Sequence, residues 1–192
     1  IKLSWSKIND FPYHTFKWVG IDGSEVLAHM PPEGTYGSWA EPRSVIFAEK
    51  NFREKGISDE ALLLYGVCDG GGGPSEDHLE SIKRIKNLSG VSPVHQEPAI
   101  NFFERIDKHR EDFPSWNGEL YLEYHQGTYT TQARNKLFNR KMENSLREAE
   151  FALTAAFLQS GYEYPKERLD ENWQEVLLYQ FHDILPGSSI KR

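Results

Sequence analysis

Asp69 ends a short apolar run and heads four glycines, in Cys68-Asp69-Gly70-Gly71-Gly72-Gly73-Pro74. A carboxylate just past the carboxyl end of a parallel strand lies where open α/β sheets hold their ligands, and glycines let backbone approach one closely. The same residues also suit a turn in which Asp69 accepts local hydrogen bonds. A phosphate loop is a third reading, but no Lys-Ser/Thr follows and the glycine spacing fits neither phosphate-binding fingerprint. His182-Asp183 is the second candidate, beside Gln180 and the helix-breaking Pro186-Gly187. Neutral imidazole is the commonest metal ligand, but one histidine does not make a tetrahedral zinc site, and a lone helical histidine is more often structural. His14, His29, His78, His95, His109 and His125 show no His-x-His or HExxH spacing and are assigned to no metal. The third candidate runs from Tyr124 to Gln132, where aromatic rings alternate with hydroxyl and amide groups. Such a surface suits sugar rings, and equally a strand-to-helix connection with Thr130 or Thr131 as N-cap. Tyr36 and Trp39, in a Gly-rich loop, are open to the same two readings.

The surrounding elements follow from periodicity. Glu25 to Met30 reads as a strand stopped by Pro31-Pro32, and Glu41 to Lys55 as a helix. Ala61 to Cys68 is a continuous apolar run, as in a strand buried on both faces of a parallel sheet. Ser75 caps a helix whose Leu79, Ile82 and Ile85 recur at three-residue steps, and Val91 to His95 reads as the next strand. Strand, loop, helix and strand make a βαβ unit. Leu120, Leu122 and Tyr124 alternate as a short strand. A long helix then spans about Thr131 to Gln159, with Phe138, Met142, Leu146, Ala149, Leu153 and Phe157 as its apolar stripe and Glu143–Arg147 as a flanking pair. A second helix starts near Asp170 and buries Trp173, Val176, Leu177, Phe181 and Ile184, with His182 on another side. Residues 1–110 therefore read as part of an α/β domain and 111–192 as helices of a bundle.

Composition narrows the class. The 192 residues carry 22 Lys+Arg against 29 Asp+Glu, a net charge of −7, and 13% are aromatic. That aromatic share excludes disorder for most of the chain. Nucleic acid is a disfavoured partner, because no basic block extends beyond Lys83, Arg84 and Lys86. The longest apolar run is far short of the roughly 20 residues of a membrane span. Cys68 is the only cysteine, so no internal disulfide forms and a reducing compartment fits; with no leader-like start, a cytoplasmic location is the expectation. The start at Ile1-Lys2-Leu3-Ser4-Trp5 reads like structured protein and suggests an excised segment.

Four segments, in order, resemble the α-mannosidases of glycoside hydrolase family 38, especially the bacterial and cytosolic type. They are Phe11-Pro12-Tyr13-His14-Thr15-Phe16 through Gly20-Ile21-Asp22-Gly23, the glycine-rich Cys68–Pro74 loop, Glu119 through Gly127-Thr128-Tyr129-Thr130-Thr131-Gln132, and Gln180-Phe181-His182-Asp183-Ile184-Leu185-Pro186-Gly187-Ser188-Ser189.

The resemblance implies the C-terminal part of a parallel-sheet α/β catalytic domain followed by a helical-bundle middle domain. It implies a retaining, zinc-dependent exo-glycosidase acting on a mannose-containing glycan or a small α-mannoside. In such enzymes one carboxylate attacks the anomeric carbon while a second, about 5–5.5 Å away, protonates the leaving oxygen. By resemblance Asp69 is the general acid/base, His182 a zinc ligand, Asp183 a sugar-contacting carboxylate, and Tyr36 and Tyr129 sugar-contacting aromatics. Zinc would hold sugar hydroxyls as a Lewis acid and template. The family's nucleophile and its remaining zinc ligands belong to segments preceding the part that matches Ile1, and Asp10, Asp22 and Asp59 do not replace them. The expectation is half an active site, inert by itself, in a parent that is a candidate homo-oligomer. A non-catalytic carbohydrate-binding segment is the alternative.

Overall fold

A computed structural model describes residues 10–120 and 123–190, and they fall into two compact units divided after Glu123. In the first, β1 (Thr15–Val19) and β2 (Glu25–His29) form a hairpin, and β3 (Ser115–Asn117) pairs parallel to β1, giving the order β2-β1-β3. The hairpin turns through Gly20–Ser24, where Gly23 takes φ +81° and Asp22 Oδ1 accepts from Ser24 N–H at 3.0 Å. Side chains alternate across a strand, so β2 serves two cores. Ala28 packs with Phe11, Phe16 and Met30 on one face, while Leu27 packs with Phe102, Ile106 and Phe113 on the other.

The first unit also holds three helices, α1 (Pro42–Asn51), α2 (Glu76–Ile85) and α3 (Ala99–Ile106), the last running on into a 3-10 turn over Asp107–Asp112. Helix α1 opens on a proline, which tolerates the first turn because that N–H has no helical partner. Helix α2 starts at the Ser75 cap the sequence indicates, carries Glu76 and Asp77 at its positive end, and buries Ile82 and Ile85. Leu79, from the expected stripe, is exposed.

The run from Ala61 to Cys68 is not a strand. It is extended chain joined to Ser38 by one parallel bridge at Tyr65, and Val67 bridges to Gly72 across the glycine loop. A buried side chain adds a second anchor. Leu62 N–H donates to Nε2 of buried His29 at 3.2 Å, which leaves the His29 proton on Nδ1, 2.9 Å from Thr15 Oγ1. Val91 to His95 forms no strand either, and runs as irregular chain into α3. At 120–124, Tyr121 and Leu122 lie outside the described residues, as do Ile1 to Trp5, and Tyr124 belongs to a 3-10 turn over Glu123–Tyr129.

The second unit holds α4 (Ala133–Ser160) and α5 (Lys166–Tyr179), joined through Gly161 at φ +68°. Trp173 Nε1–H donates to Glu150 at 2.8 Å and Gln180 Nε2–H to Glu143 at 2.7 Å, so the helices run antiparallel. Their core is Leu146, Leu169 and Val176, flanked by Ala149, Leu153, Tyr164 and Trp173. One line of contact covers only part of a stripe. Phe138, Met142 and Phe157 on α4, and Leu177 and Phe181 at the end of α5, are exposed rather than buried. Glu143 pairs with Arg140 instead of Arg147. Helix α5 begins four residues before the expected Asp170 and stops at Tyr179, so His182 lies in the turn beyond it. No helix among the described residues is long and apolar enough to cross a membrane.

Candidate active site

In the first unit the glycine loop closes as a hairpin. Gly71 N–H donates to Cys68 O at 3.3 Å with Gly71 at φ +71°, which places exposed Asp69 at the tip. The Tyr36 hydroxyl lies 2.7 Å from Asp69 Oδ2, joining two residues singled out from the sequence. Four contacts hold the Tyr36–Ala40 turn in place. Ser38 donates its N–H to Leu64 O at 2.8 Å, and its own carbonyl accepts from Gly66 at 3.4 Å. A Cβ at Gly37 would stand 2.2 Å from Cys68 Sγ, so only glycine fits there. Ser81 Oγ–H, on α2, donates to Ala40 O at 2.6 Å. Ala40 itself sits at φ +52°, a conformation costing a non-glycine residue about 1–3 kcal/mol. The Ser38 side chain accepts from Ala40 N–H at 2.9 Å and helps fix that turn.

Trp39, from the same turn, stacks face to face on His78 of α2, with ring centroids 4.7 Å apart and planes 7° from parallel. His78 is buried, and its Nδ1 accepts from Ser75 N–H at 3.1 Å and lies 2.6 Å from Ser75 Oγ. The sequence reading passed over His78 and Ser81. Ser75 followed three residues later by a side chain able to accept from the cap N–H is a capping-box spacing, and it was the available signal.

A second polar group lies under the sheet. Glu54, buried, accepts from His14 N–H at 3.2 Å and Thr15 N–H at 3.0 Å. Burial raises the Glu54 carboxyl above its usual range, against those hydrogen bonds. Burial, with Arg53 adding to it, pushes His14 down to about 4, and burial pushes His29 down to about 3. These groups brace the fold. Two cavities of about 270 Å³ each, one beside Arg105 and Glu60 and one beside Arg53 and His14, lie away from Tyr36 and Asp69.

In the second unit the chain beyond α5 folds through Phe181 O, which accepts from Ile184 N–H at 2.8 Å and Leu185 N–H at 3.0 Å. It is seated on the segment that carries Tyr129. Gly187, at φ +92°, approaches so closely that a Cβ would lie 2.9 Å from Thr131 O, and Lys136 Nζ–H donates to Leu185 O at 2.9 Å. Thr131 N–H in turn donates to Gly127 O at 3.0 Å. His182 and Asp183 are exposed, with His182 Nε2 3.7 Å from Asp183 Oδ2, and Tyr129 is exposed as well. The exposed imidazole can donate a lone pair to a metal. Zinc needs about four donors, and no group of three His, Cys, Asp or Glu among the described residues could hold a metal ion. These residues alone do not make a zinc site.

Residues 1–119 match the family described as glycosyl hydrolases family 38 N-terminal domain, and residues 123–192 match the alpha mannosidase middle domain. Alpha-mannosidase G of Dictyostelium discoideum is 42% identical over 99% of this chain and 17% of its own length. Alpha-mannosidase of Saccharomyces cerevisiae is 42% identical over 99% and 19%, and human alpha-mannosidase 2C1 is 40% identical over 99% and 18%. The chain thus spans less than a fifth of each of these relatives. The crystal structure of an alpha-mannosidase from Enterococcus faecalis V583 superposes with a TM-score of 0.65 at 18% identity, covering 93% of this chain and 22% of that one, a likeness of fold. With both family models matched in succession along it, the chain belongs to glycosyl hydrolase family 38.

Proposed function

We propose that this chain is part of a retaining exo-α-mannosidase that removes terminal α-linked mannose from a glycan or a small α-mannoside. Identity of 40–42% to three alpha-mannosidases over 99% of this chain supports the activity. The observation that carries the residue assignment is Tyr36 Oη on Asp69 Oδ2 at the tip of the glycine loop. In the reading adopted here the first unit is the end of a parallel-sheet α/β catalytic domain and the second the start of the helical middle domain. The isolated chain does not hydrolyse mannosides, since the attacking carboxylate comes from outside it.

Asp69, protonated, gives its proton to the glycosidic oxygen as the bond to the anomeric carbon breaks. The same carboxylate then takes a proton from the water that opens the mannosyl-enzyme, so one group serves both half-reactions. Its exposure at a loop tip leaves it reachable by a leaving group, while the Tyr36 hydroxyl orients the carboxyl group through Oδ2. Asp183 accepts hydrogen bonds from sugar hydroxyls, and Tyr36 and Tyr129 offer ring faces to the sugar. His182 contributes one zinc ligand, the others coming from outside this chain. Bound zinc would supply Lewis-acid contact to sugar hydroxyls.

The test uses the full-length parent enzyme. Asp69→Asn is expected to lower kcat on an α-linked mannobioside by about 10²–10⁴-fold, the usual contribution of a general acid, with bound zinc unchanged. His182→Ala is expected to lose zinc and activity together. Near-normal hydrolysis by Asp69→Asn would remove the assignment, and zinc retained in His182→Ala would reduce His182 to a structural residue.

A further inference from the structure

We propose that His78 is a positioning residue for the Tyr36–Asp69 pair, acting through the indole of Trp39; the proposal rests on the reading of Asp69 as the general acid. Position 78 is the third residue of α2, where a capping box ordinarily uses Glu or Gln to accept from the cap N–H. His78 does that work with Nδ1, since Ser75 N–H lies 3.1 Å away. A carboxylate there would also suit the positive end of the helix. What Glu and Gln lack is a ring, and the ring is used: its face carries Trp39 at 4.7 Å and 7°. Among the described residues Nε2 of this buried imidazole has no hydrogen-bond partner, so capping and stacking account for its described contacts.

Trp39 needs that support. The residue is 59% exposed, and the turn it belongs to contains left-handed Ala40. One helical turn beyond His78, Ser81 Oγ–H holds Ala40 O at 2.6 Å, so α2 grips the turn at two consecutive positions of one face. At the other end of the turn, Tyr36 reaches Asp69. The helix that follows the glycine loop therefore fixes, through Trp39, the hydroxyl that orients the loop's carboxylate. A displacement of about 1 Å in a reacting group is enough to cost a large rate factor.

The experiment uses the full-length parent enzyme and two substrates, an α-linked mannobioside, whose leaving group needs a proton, and 2,4-dinitrophenyl α-mannoside, whose leaving group does not. His78→Gln keeps the cap acceptor and removes the ring; His78→Phe keeps the ring and removes the acceptor. Expected for His78→Gln is a loss of about tenfold in kcat/KM on the mannobioside with less than about twofold on the activated substrate, and restoration by His78→Phe. Trp39→Ala, which spares the cap, is expected to repeat the pattern should His78→Gln fail to fold. The double variant His78→Gln/Tyr36→Phe is expected to be no worse than Tyr36→Phe. Equal losses on both substrates, or His78→Phe no better than His78→Gln, would overturn the proposal and leave a helix cap. An Asp69→Asn enzyme whose loss is the same on both substrates would overturn the reading of Asp69, and this proposal with it.

Discussion

The phenolic oxygen of Tyr36 stands 2.7 Å from Oδ2 of Asp69, across two loops joined by the paired carbonyl and N–H of Ser38. The carboxylate at the tip of a glycine-rich hairpin thereby has a fixed orientation that glycines alone would not provide. Removing the hydroxyl with Tyr36→Phe costs a hydrogen bond to a charged group, of order 1.5–3 kcal/mol. The expected loss in kcat/KM of the parent enzyme is about tenfold to a hundredfold, with the melting temperature little changed. Steady-state kinetics alongside a thermal melt decide it, and full activity in the variant would show the contact to be incidental.

Gly37 is packed against Cys68 so tightly that Gly37→Ala must move one of the two loops. Overpacking of this kind costs about 1–3 kcal/mol. The expected result is a lower melting temperature and reduced activity in Gly37→Ala, with partial recovery in Gly37→Ala/Cys68→Gly, because both side-chain atoms that meet the new methyl are then gone. Differential scanning calorimetry of the pair provides the check, and a double variant no more stable than the single one would contradict it.

Gly187 meets the backbone of Thr131, which cannot yield as a flexible side chain would, and its φ of +92° disfavours any other residue. Gly187→Ala is expected to loosen the turn that holds His182 and Asp183. Zinc content after dialysis should fall while the far-ultraviolet dichroism stays near that of the parent. Unaltered zinc retention would separate the turn's packing from its function.

Acid should weaken the first unit before any carboxylate effect is felt. His14 and His29 are held neutral down to about 4 and about 3, whereas the unfolded chain binds those protons near 6.5. Between these values the unfolded state carries more protons, so stability is complete above about 6.5 and falls as the pH drops. By pH 5 each histidine costs about 2 kcal/mol relative to neutral pH, at about 1.4 kcal/mol per pH unit. Glu54 acts in the opposite sense: its raised value adds stability as the pH falls, in the range just above 4.5. Urea unfolding at pH 7 and pH 5 should show the histidine loss prevailing, and His29→Gln should flatten the dependence. Equal stability at the two pH values would refute the buried, neutral histidines.

Elements carried by local signals were legible in the sequence. Ser75 and the apolar steps behind it marked α2, a five-turn stripe marked α4, and a short run stopped by Pro31-Pro32 marked β2. The run Ala61 to Cys68 misled, because a continuous apolar stretch reads the same in a buried strand and in half-buried irregular chain, as here. Which applies depends on whether another strand is available to pair, and that is a tertiary fact. The stripes of α4 and α5 overstated burial for a related reason: periodicity identifies a face, while Leu146, Leu169 and Val176 alone mark where the partner lies. For the site, Tyr36, Asp69, His182, Asp183 and Tyr129 were picked out by residue type and resemblance. Their bracing by His78, Ser81 and Gly187 was invisible, since each of those acts on a residue remote in sequence.

His29 gives the glycine loop an unexpected dependency. The stretch leading to Asp69 is moored to the sheet by a ring nitrogen that accepts from Leu62 N–H, where a strand would have used a ladder of amides. A ladder shares its load over many residues and forgives most substitutions; on its sheet side this stretch relies on one imidazole, with the backbone of Ser38 holding Leu64 and Gly66 from the neighbouring loop. In a saturation scan of the parent enzyme, position 29 would therefore score alongside the catalytic positions although no sugar reaches it, and a map of mutational sensitivity would draw the active site larger than its chemistry.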